Sequence, residues 1–539
     1  MRFPPAAPLL TAAAIVAAAC TPANATPAPP PVTADSSQAE TPTLVVFLTI
    51  DQLRTDYFTR FGAQLTGGLK RLSADGAFYV NGVHDHAITE TAPGHAATMS
   101  GRFPVHTGII MNSQGVNGPE TSLIDARGVG ASPDRFIGTT LTDWMIKANR
   151  RTKVLSVSRK DRGAILPIGK SRQPVFWFAD GKFTTSTYYE RELPYWVRRF
   201  NERRLPERTA DQIWDLLLPP SEYPERDDVE QENRGQNYTM PKQAPEDSAS
   251  AARVLPAFPW MDEITLAFAL EGVSALDIGK DEHPDVLAVS LSTLDAVGHA
   301  YGPDSREVHD MFLRVDRMLG TFMDSLARLR PNARIVYALT GDHGVAPLIG
   351  VKSADPNQAA TFVDLRPAIQ AVRTAVAEAK IDSTAWGVDD GALVWEAAVF
   401  KKRRADVERI TDIYLTAARM TPGILRADRL QDLAKADTVQ DYVARRWLHM
   451  FDPTRSTVTA IATMTPYSYW RGVTYATHGT PHDYDARVPV IFYGAGVAPG
   501  RRTEPARVVD MAPTLARILR VSPLEPLDGV PLRSALAAP

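Results

Sequence analysis

Leu44-Val45-Val46-Phe47-Leu48-Thr49-Ile50-Asp51 reads as a strand whose apolar run does not alternate and which stops on an acid. Continuity of this kind marks a strand covered on both faces, as in a parallel sheet sandwiched by helices. Two further runs lead to similar chemistry: Val286-Leu287-Ala288-Val289-Ser290-Leu291 before Asp295, and Ile335-Val336-Tyr337-Ala338-Leu339 before Asp342-His343. A fourth, Val488-Pro489-Val490-Ile491-Phe492-Tyr493, precedes Gly494-Ala495-Gly496. Helical patterns such as Val308 to Leu319 lie between the runs, so the fold class is α/β. Ligands of open α/β sheets bind beyond the carboxyl ends of the strands, so these polar residues are expected to converge on one site.

The chain has 539 residues, 44% apolar and 22% charged, enough to bury a large core. A net charge of -3 lacks the basic surplus of a nucleic-acid-binding domain, and no nucleic-acid partner is expected. Near the start, Arg2 is followed by the apolar run Leu9 to Ala19, about the length of a signal h-region and too short to span a bilayer. Residues 1–25 therefore read as an export signal, with the periplasm as destination. Two cleavage sites compete. Ala23-Asn24-Ala25 fits the small-x-small rule, whereas Ala17-Ala18-Ala19-Cys20 resembles a lipoprotein box, in which Cys20 would be acylated and attach the protein to a membrane.

Cys20 is the only cysteine, so a mature chain has no disulfides or thiolate ligands, and any metal must be held by His, Asp and Glu. Residues 26–42, rich in Pro, Ala and Thr, read as a disordered tether. The folded body is expected over 43–539, interrupted at about 165–260 and 350–470 by insertions that cover the sheet edge or the mouth of the site. The aromatics Val175-Phe176-Trp177-Phe178 and Tyr188-Tyr189, in the first of these, fit core packing better than stacking on a ligand.

The strand-end residues form a mixed nitrogen and oxygen donor set: Asp51, Asp295 with His299 four residues on, Asp342-His343, and His478 in Thr477-His478-Gly479-Thr480-Pro481-His482. Such donors suit Zn²⁺ with a position left open for water or substrate. Between the first and second of these segments lies Thr89-Glu90-Thr91-Ala92-Pro93-Gly94-His95. Pro93 fits the first turn of a helix, which puts Thr91 at a helix N-terminus, where free N–H groups favour an alkoxide or a phosphoryl group.

In this order, Thr-Ala-Pro-Gly-His after a strand-end Asp, Asp-x-x-x-His, Gly-Asp-His-Gly and a late Thr-His-Gly resemble the alkaline phosphatase superfamily, from about Thr43 to Leu532. Lys160-Asp161-Arg162-Gly163-Ala164-Ile165-Leu166-Pro167 and Asn112, 21 residues past Thr91, are similar to the bacterial phosphate-irrepressible alkaline phosphatases. The resemblance implies a central, mostly parallel sheet with helices on both faces. It also implies two Zn²⁺ per chain, one held by Asp295, His299 and His478, the other by Asp51, Thr91, Asp342 and His343. Thr91 would be the nucleophile of a phosphate monoester hydrolase, passing through a phosphothreonine and releasing inorganic phosphate. Two cations about 3.5–4 Å apart suit this chemistry, because they clamp the attacking and leaving oxygens of an in-line displacement.

Lys160 and Arg162, two apart after Val154 to Ser158, would project to one face of an extended segment and, with Asn112, bind the dianionic phosphoryl group of a small-molecule monoester. Those two cations argue against a phosphodiesterase or nucleotide pyrophosphatase of the same superfamily, the nearest alternative. A sulfatase would need a Cys or Ser where Thr91 stands. A non-catalytic exported protein binding zinc or an anion would need a missing ligand or nucleophile, and none is missing. His84, His86, His95 and His482 have no ligand counterpart in the family pattern.

Overall fold

The computed structural model describes residues 41–349 and 361–538. The expected export signal with Cys20, the tether as far as residue 40, and residues 350–360 of the second expected insertion lie outside the described residues.

Leu44–Ile50 is strand β1 of a nine-stranded sheet. Its side chains alternate between two apolar clusters, with Leu44, Val46, Leu48 and Ile50 in one and Val45 and Phe47 in the other. Each face is buried, which is why the run carries almost no polar residue. The other strands are β2 (Ala77–Val83), β3 (Val154–Ser158), β4 (Val175–Ala179), β5 (Lys182–Thr184), β6 (Asp285–Leu291), β7 (Ile335–Thr340), β8 (Val490–Gly494) and β9 (Gly500–Arg507). Their order is β9-β2-β8-β7-β1-β6-β3-β4-β5. The five from β7 to β4 are parallel, and β8 runs antiparallel to both its neighbours.

Register positions the site. Ile50 pairs with Leu291 and Thr49 with Thr340, so β1, β6 and β7 finish level and the loops that follow them leave at one height. The helices used below are α1 (Thr91–Ser100), α2 (Asp161–Ile165), α3 (Trp260–Ala275), α4 (Thr293–Tyr301) and α5 (Arg306–Leu329). In α5, Val308, Met311, Phe312, Val315, Leu319, Phe322 and Leu326 are buried at helical spacing, and Ser305 caps the N-terminus by accepting the Val308 N–H.

The first expected insertion begins too early. Val175–Ala179 and Lys182–Thr184 are strands β4 and β5 of the central sheet. Phe176 and Trp177 enter opposite core clusters, so these aromatics pack the fold and do not line a site. The strand is hard to recognise because it ends in the turn Asp180-Gly181, with none of the chemistry that marks β1, β6 and β7. The segment after β5 is pinned to α5 by Asp310, whose carboxylate accepts from Trp214 Nε1 at 2.7 Å, Leu217 N at 2.6 Å and Tyr223 OH at 2.7 Å. The second expected insertion contains an antiparallel sheet of Trp386–Asp389, Ala392–Trp395, Val458–Met464 and Ile424–Arg429 with an apolar cluster of its own.

A buried charge cluster fixes the later part of the segment after β5. Lys242 Nζ lies 2.6 Å from Glu307 Oε1 on α5 and donates to the carbonyls of Asn237 at 2.7 Å and Thr239 at 2.9 Å. Glu232 is buried beside this pair, and burial, then the Glu307 charge, pushes its carboxyl up to about 9. The folded chain thus keeps a proton that the unfolded chain loses above about pH 4.3. The associated stability is complete below that pH and drains away as pH rises toward about 9. Glu232→Gln is therefore expected to raise the urea midpoint at pH 8 to 9 and leave it unchanged near pH 4; equal shifts at both would refute the assignment.

Candidate active site

Asp51 follows β1 directly, its N–H bonded to Leu291 O at 2.8 Å, and its side chain is fully buried. Asp295 and His299 lie on α4, one turn apart, with His299 Nε2 3.2 Å from Asp295 Oδ1. Asp342 and His343 occupy the loop after β7, and both are fully buried. His478 arrives from the loop before β8, its Nε2 3.9 Å from Asp295 Oδ1.

The three imidazoles are oriented alike. Nδ1 of His299 is bound to Ala476 O at 2.6 Å, that of His343 to Gly344 O at 2.9 Å, and that of His478 to Thr89 O at 2.8 Å. A backbone carbonyl on one ring nitrogen fixes the tautomer of a neutral ring and leaves its Nε2 with a lone pair for a metal. At His299 burial favours the neutral ring, but Asp295 outweighs it and raises the pKa, so a metal there would displace a proton. Burial drives the His343 pKa down to about 3 and that of His478 well below its ordinary value, so these two stay neutral. Burial opposes ionisation of Asp295, but Lys160 and His299 overcome it and hold its carboxyl well below the usual range.

Two sets of donor atoms come together within 4.8 Å: Asp295 with His343 and His478, and Asp51 with His95 and Asp342. Asp342 Oδ2 is buried without a hydrogen-bond donor. An orphaned carboxylate oxygen among Nε2 lone pairs is a donor set that fits a divalent metal. His343 lies between the sets, 3.3 Å from Asp342 Oδ2 and 4.0 Å from Asp295 Oδ1.

Thr91 is the first residue of α1, inside the first turn, with Glu90 as N-cap in an extended conformation. Its Oγ1 lies 3.4 Å from His343 Nε2. Asn112 Oδ1 accepts the Ala92 N–H at 2.9 Å, which ties the Asn112 amide to the N-terminus of α1. Lys160 Nζ bridges Asp51 Oδ2 at 2.8 Å and Asp295 Oδ2 at 2.7 Å. The expected extended segment is interrupted: Lys160 is the extended N-cap of α2, and Arg162 is already helical. Asp161 at the first helical position suits the helix dipole, and the turn, not strand alternation, separates Lys160 from Arg162. Arg162 is partly exposed, and its Nε is buried with no hydrogen-bond partner.

Several supporting residues escape sequence reading. Gln52, in a left-handed conformation with φ 65°, donates its N–H to Asp342 Oδ1 at 2.9 Å and its side-chain amide to Asp295 Oδ1 at 3.0 Å. Ser290 donates to Asp51 Oδ1 at 3.0 Å. His95 is fully buried, with Nδ1 3.0 Å from Thr91 O and Nε2 3.0 Å from Ser290 Oγ and 3.4 Å from Asp51 Oδ1. His95 carried a signal, as the last residue of Thr-Ala-Pro-Gly-His one turn after Thr91; Gln52 carried none. His482 faces away, bound to Met464 O at 2.9 Å and Tyr442 OH at 3.2 Å. His84 bonds Gly341 O at 2.9 Å and packs against His86.

A family model described as type I phosphodiesterase / nucleotide pyrophosphatase matches residues 45–411. The chain is 30% identical over 506 residues to alkaline phosphatase PafA of Elizabethkingia meningoseptica, covering 89% of this chain and 92% of the relative. It is 29% identical over 502 residues to alkaline phosphatase PhoV of Synechococcus elongatus, covering 89% and 90%. The crystal structure of wild-type alkaline phosphatase PafA superposes with a TM-score of 0.81 at 27% identity, over 93% of this chain and 100% of that one. Murine ectonucleotide pyrophosphatase / phosphodiesterase 5, at 14% identity and a TM-score of 0.53, shares the fold.

Gln52 offers a test that leaves every donor atom in place. Gln52→Ala is expected to weaken retention of divalent metal by about 10–100-fold in competition with a chelator. Gly298→Ala should act alike, because a Cβ there would fall 1.7 Å from Gln52 Oε1. Unchanged retention in both variants would show that Gln52 does not hold the two carboxylates.

Proposed function

Because the chain belongs to the type I phosphodiesterase / nucleotide pyrophosphatase family of the alkaline phosphatase superfamily, we propose that it is a phosphate monoester hydrolase with Thr91 as nucleophile. What supports the reading is that Lys160 bridges Asp51 and Asp295 of the Asp and His donor set, Asn112 is tied to the helix terminus that carries Thr91, and Arg162 follows Lys160 in the first turn of α2. The likeness to curated alkaline phosphatases over nine-tenths of the chain points the same way.

In this reading one Zn²⁺ is held by Asp295, His299 and His478 and a second by Asp51, Thr91, Asp342 and His343. Bound there, they would supply Lewis-acid activation of the Thr91 hydroxyl and of the leaving oxygen. Thr91 Oγ1 attacks phosphorus as the bond to the leaving oxygen breaks, giving phosphothreonine and the free alcohol. Water then cleaves phosphothreonine to inorganic phosphate, so two displacements retain configuration at phosphorus. Lys160 exchanges a carboxylate oxygen for a phosphoryl oxygen, and Arg162 and the Asn112 Nδ2 amide take non-bridging oxygens left by the metals. A diester has a substituent where this pair of cations would meet an oxygen, and gains less from it. Export through residues 1–25, with acylation if cleavage falls at Cys20, belongs to the same reading.

Kinetics on an aryl phosphate monoester and its methyl diester test the assignment. The unmodified enzyme is expected to prefer the monoester, and Lys160→Ala with Arg162→Ala to lower monoester kcat/KM by about 100-fold or more, with a much smaller loss on the diester. An unmodified enzyme that prefers the diester would make it a phosphodiesterase, the activity that the family description also covers.

A further inference from the structure

Outside the donor set, an exposed aromatic is built against the metal-binding edge. Tyr475 is 38% exposed, and its ring meets the His299 ring edge-on, with centroids 5.6 Å apart at 80°. Its place is fixed by main chain: the next residue, Ala476, accepts His299 Nδ1 at 2.6 Å and donates its N–H to His299 O at 3.1 Å. The Tyr475 ring is therefore held beside His299 without being needed to orient it.

A second element reaches the same ring. The guanidinium carbon of the exposed Arg234 lies 5.7 Å from the Tyr475 centroid. Asn233 and Arg234 both adopt left-handed backbone, φ 44° and 58°, which costs free energy for residues other than glycine. That strained turn is anchored to the helices of the site: Asn237 O accepts from Tyr301 OH of α4 at 3.3 Å and from Lys242 Nζ at 2.7 Å, and Lys242 is paired with Glu307 of α5. Two anchors on one side of the site thus present an aromatic face and a guanidinium, the pair that recognises a planar ring by stacking and by cation–π attraction.

We propose that Tyr475 and Arg234 form a subsite for aromatic leaving groups, that is, for phosphate monoesters whose alcohol carries a ring. The proposal rests on the monoesterase reading, in which Thr91 attacks from one side and the leaving oxygen departs on the side of Asp295, His299 and His478. A group attached to that oxygen would leave the site past His299, against which the exposed Tyr475 ring is packed.

Benzyl phosphate and methyl phosphate separate recognition from chemistry, since their alcohols are of similar acidity and differ in the ring. Tyr475→Ala is expected to lower kcat/KM for benzyl phosphate by about 3–10-fold while methyl phosphate stays within about twofold. Tyr475→Phe should restore the benzyl preference, and Arg234→Ala should lower it with methyl phosphate again unchanged. Equal losses on both esters would reduce Tyr475 to a support for His299, and no loss on either would leave no subsite; each result overturns the proposal. The unmodified enzyme tests the other claim separately: the monoesterase reading fails on its preference for a diester, whereas the subsite fails on the ratio of the two monoesters across the variants.

Discussion

Three carboxylates, those of Asp51, Asp295 and Asp342, meet in space from which water is almost excluded: two are fully buried and the third is 3% exposed. Like charges at such separations repel strongly at low dielectric, and each loses the hydration it would keep at the surface. The fold can hold them together only with compensating positive charge and hydrogen-bond donors. Much of the surrounding structure does this work. Lys160 bridges Asp51 and Asp295, Gln52 donates to Asp295 and Asp342, and Ser290 donates to Asp51. The oxygen left over on Asp342 and the free Nε2 atoms mark where divalent cations would complete the balance.

The same need explains the architecture. Parallel strands with level ends are a simple way to bring residues distant in sequence to one edge, and Asp51 and Asp295, 244 positions apart, enter the site after adjacent strands, β1 and β6. Helix N-termini are then added where negative charge collects, with Thr91 at the start of α1 and Asp295 in the first turn of α4. The mixed sign of this environment suits the proposed reaction, which would draw in an anionic phosphoryl group and still generate an alkoxide.

What was legible in the sequence follows from the same physics. Strands β1, β6 and β7 announced themselves because burial on both faces strips them of polar residues, and their ends carried the acids and imidazoles that the structure brings together. Asn112 and Lys160 could be named through family likeness; Lys160 pairs with Asp51 and Asp295, and Asn112 bonds the backbone at the start of α1. Strands β4 and β5 were hidden because a short aromatic run without chemistry at its end looks the same in an insertion as in a sheet. Gln52 was hidden for another reason: its role depends on a left-handed backbone and on partners 243 and 290 residues away, which no local pattern encodes. The spatial relation of Lys160 and Arg162 was misjudged because α2 begins one residue after the lysine.

The proposed chemistry turns on a covalent role for Thr91. Its most direct test is rapid acid quenching of the metal-loaded enzyme during turnover of a phosphate monoester, followed by digestion and mass spectrometry of the peptides. Phosphate recovered on the peptide that carries Thr91, and absent from the same peptide of Thr91→Ala, is the predicted result. Steady release of inorganic phosphate with no phosphorylated Thr91 at any quench time, together with inversion of configuration at phosphorus, would contradict it.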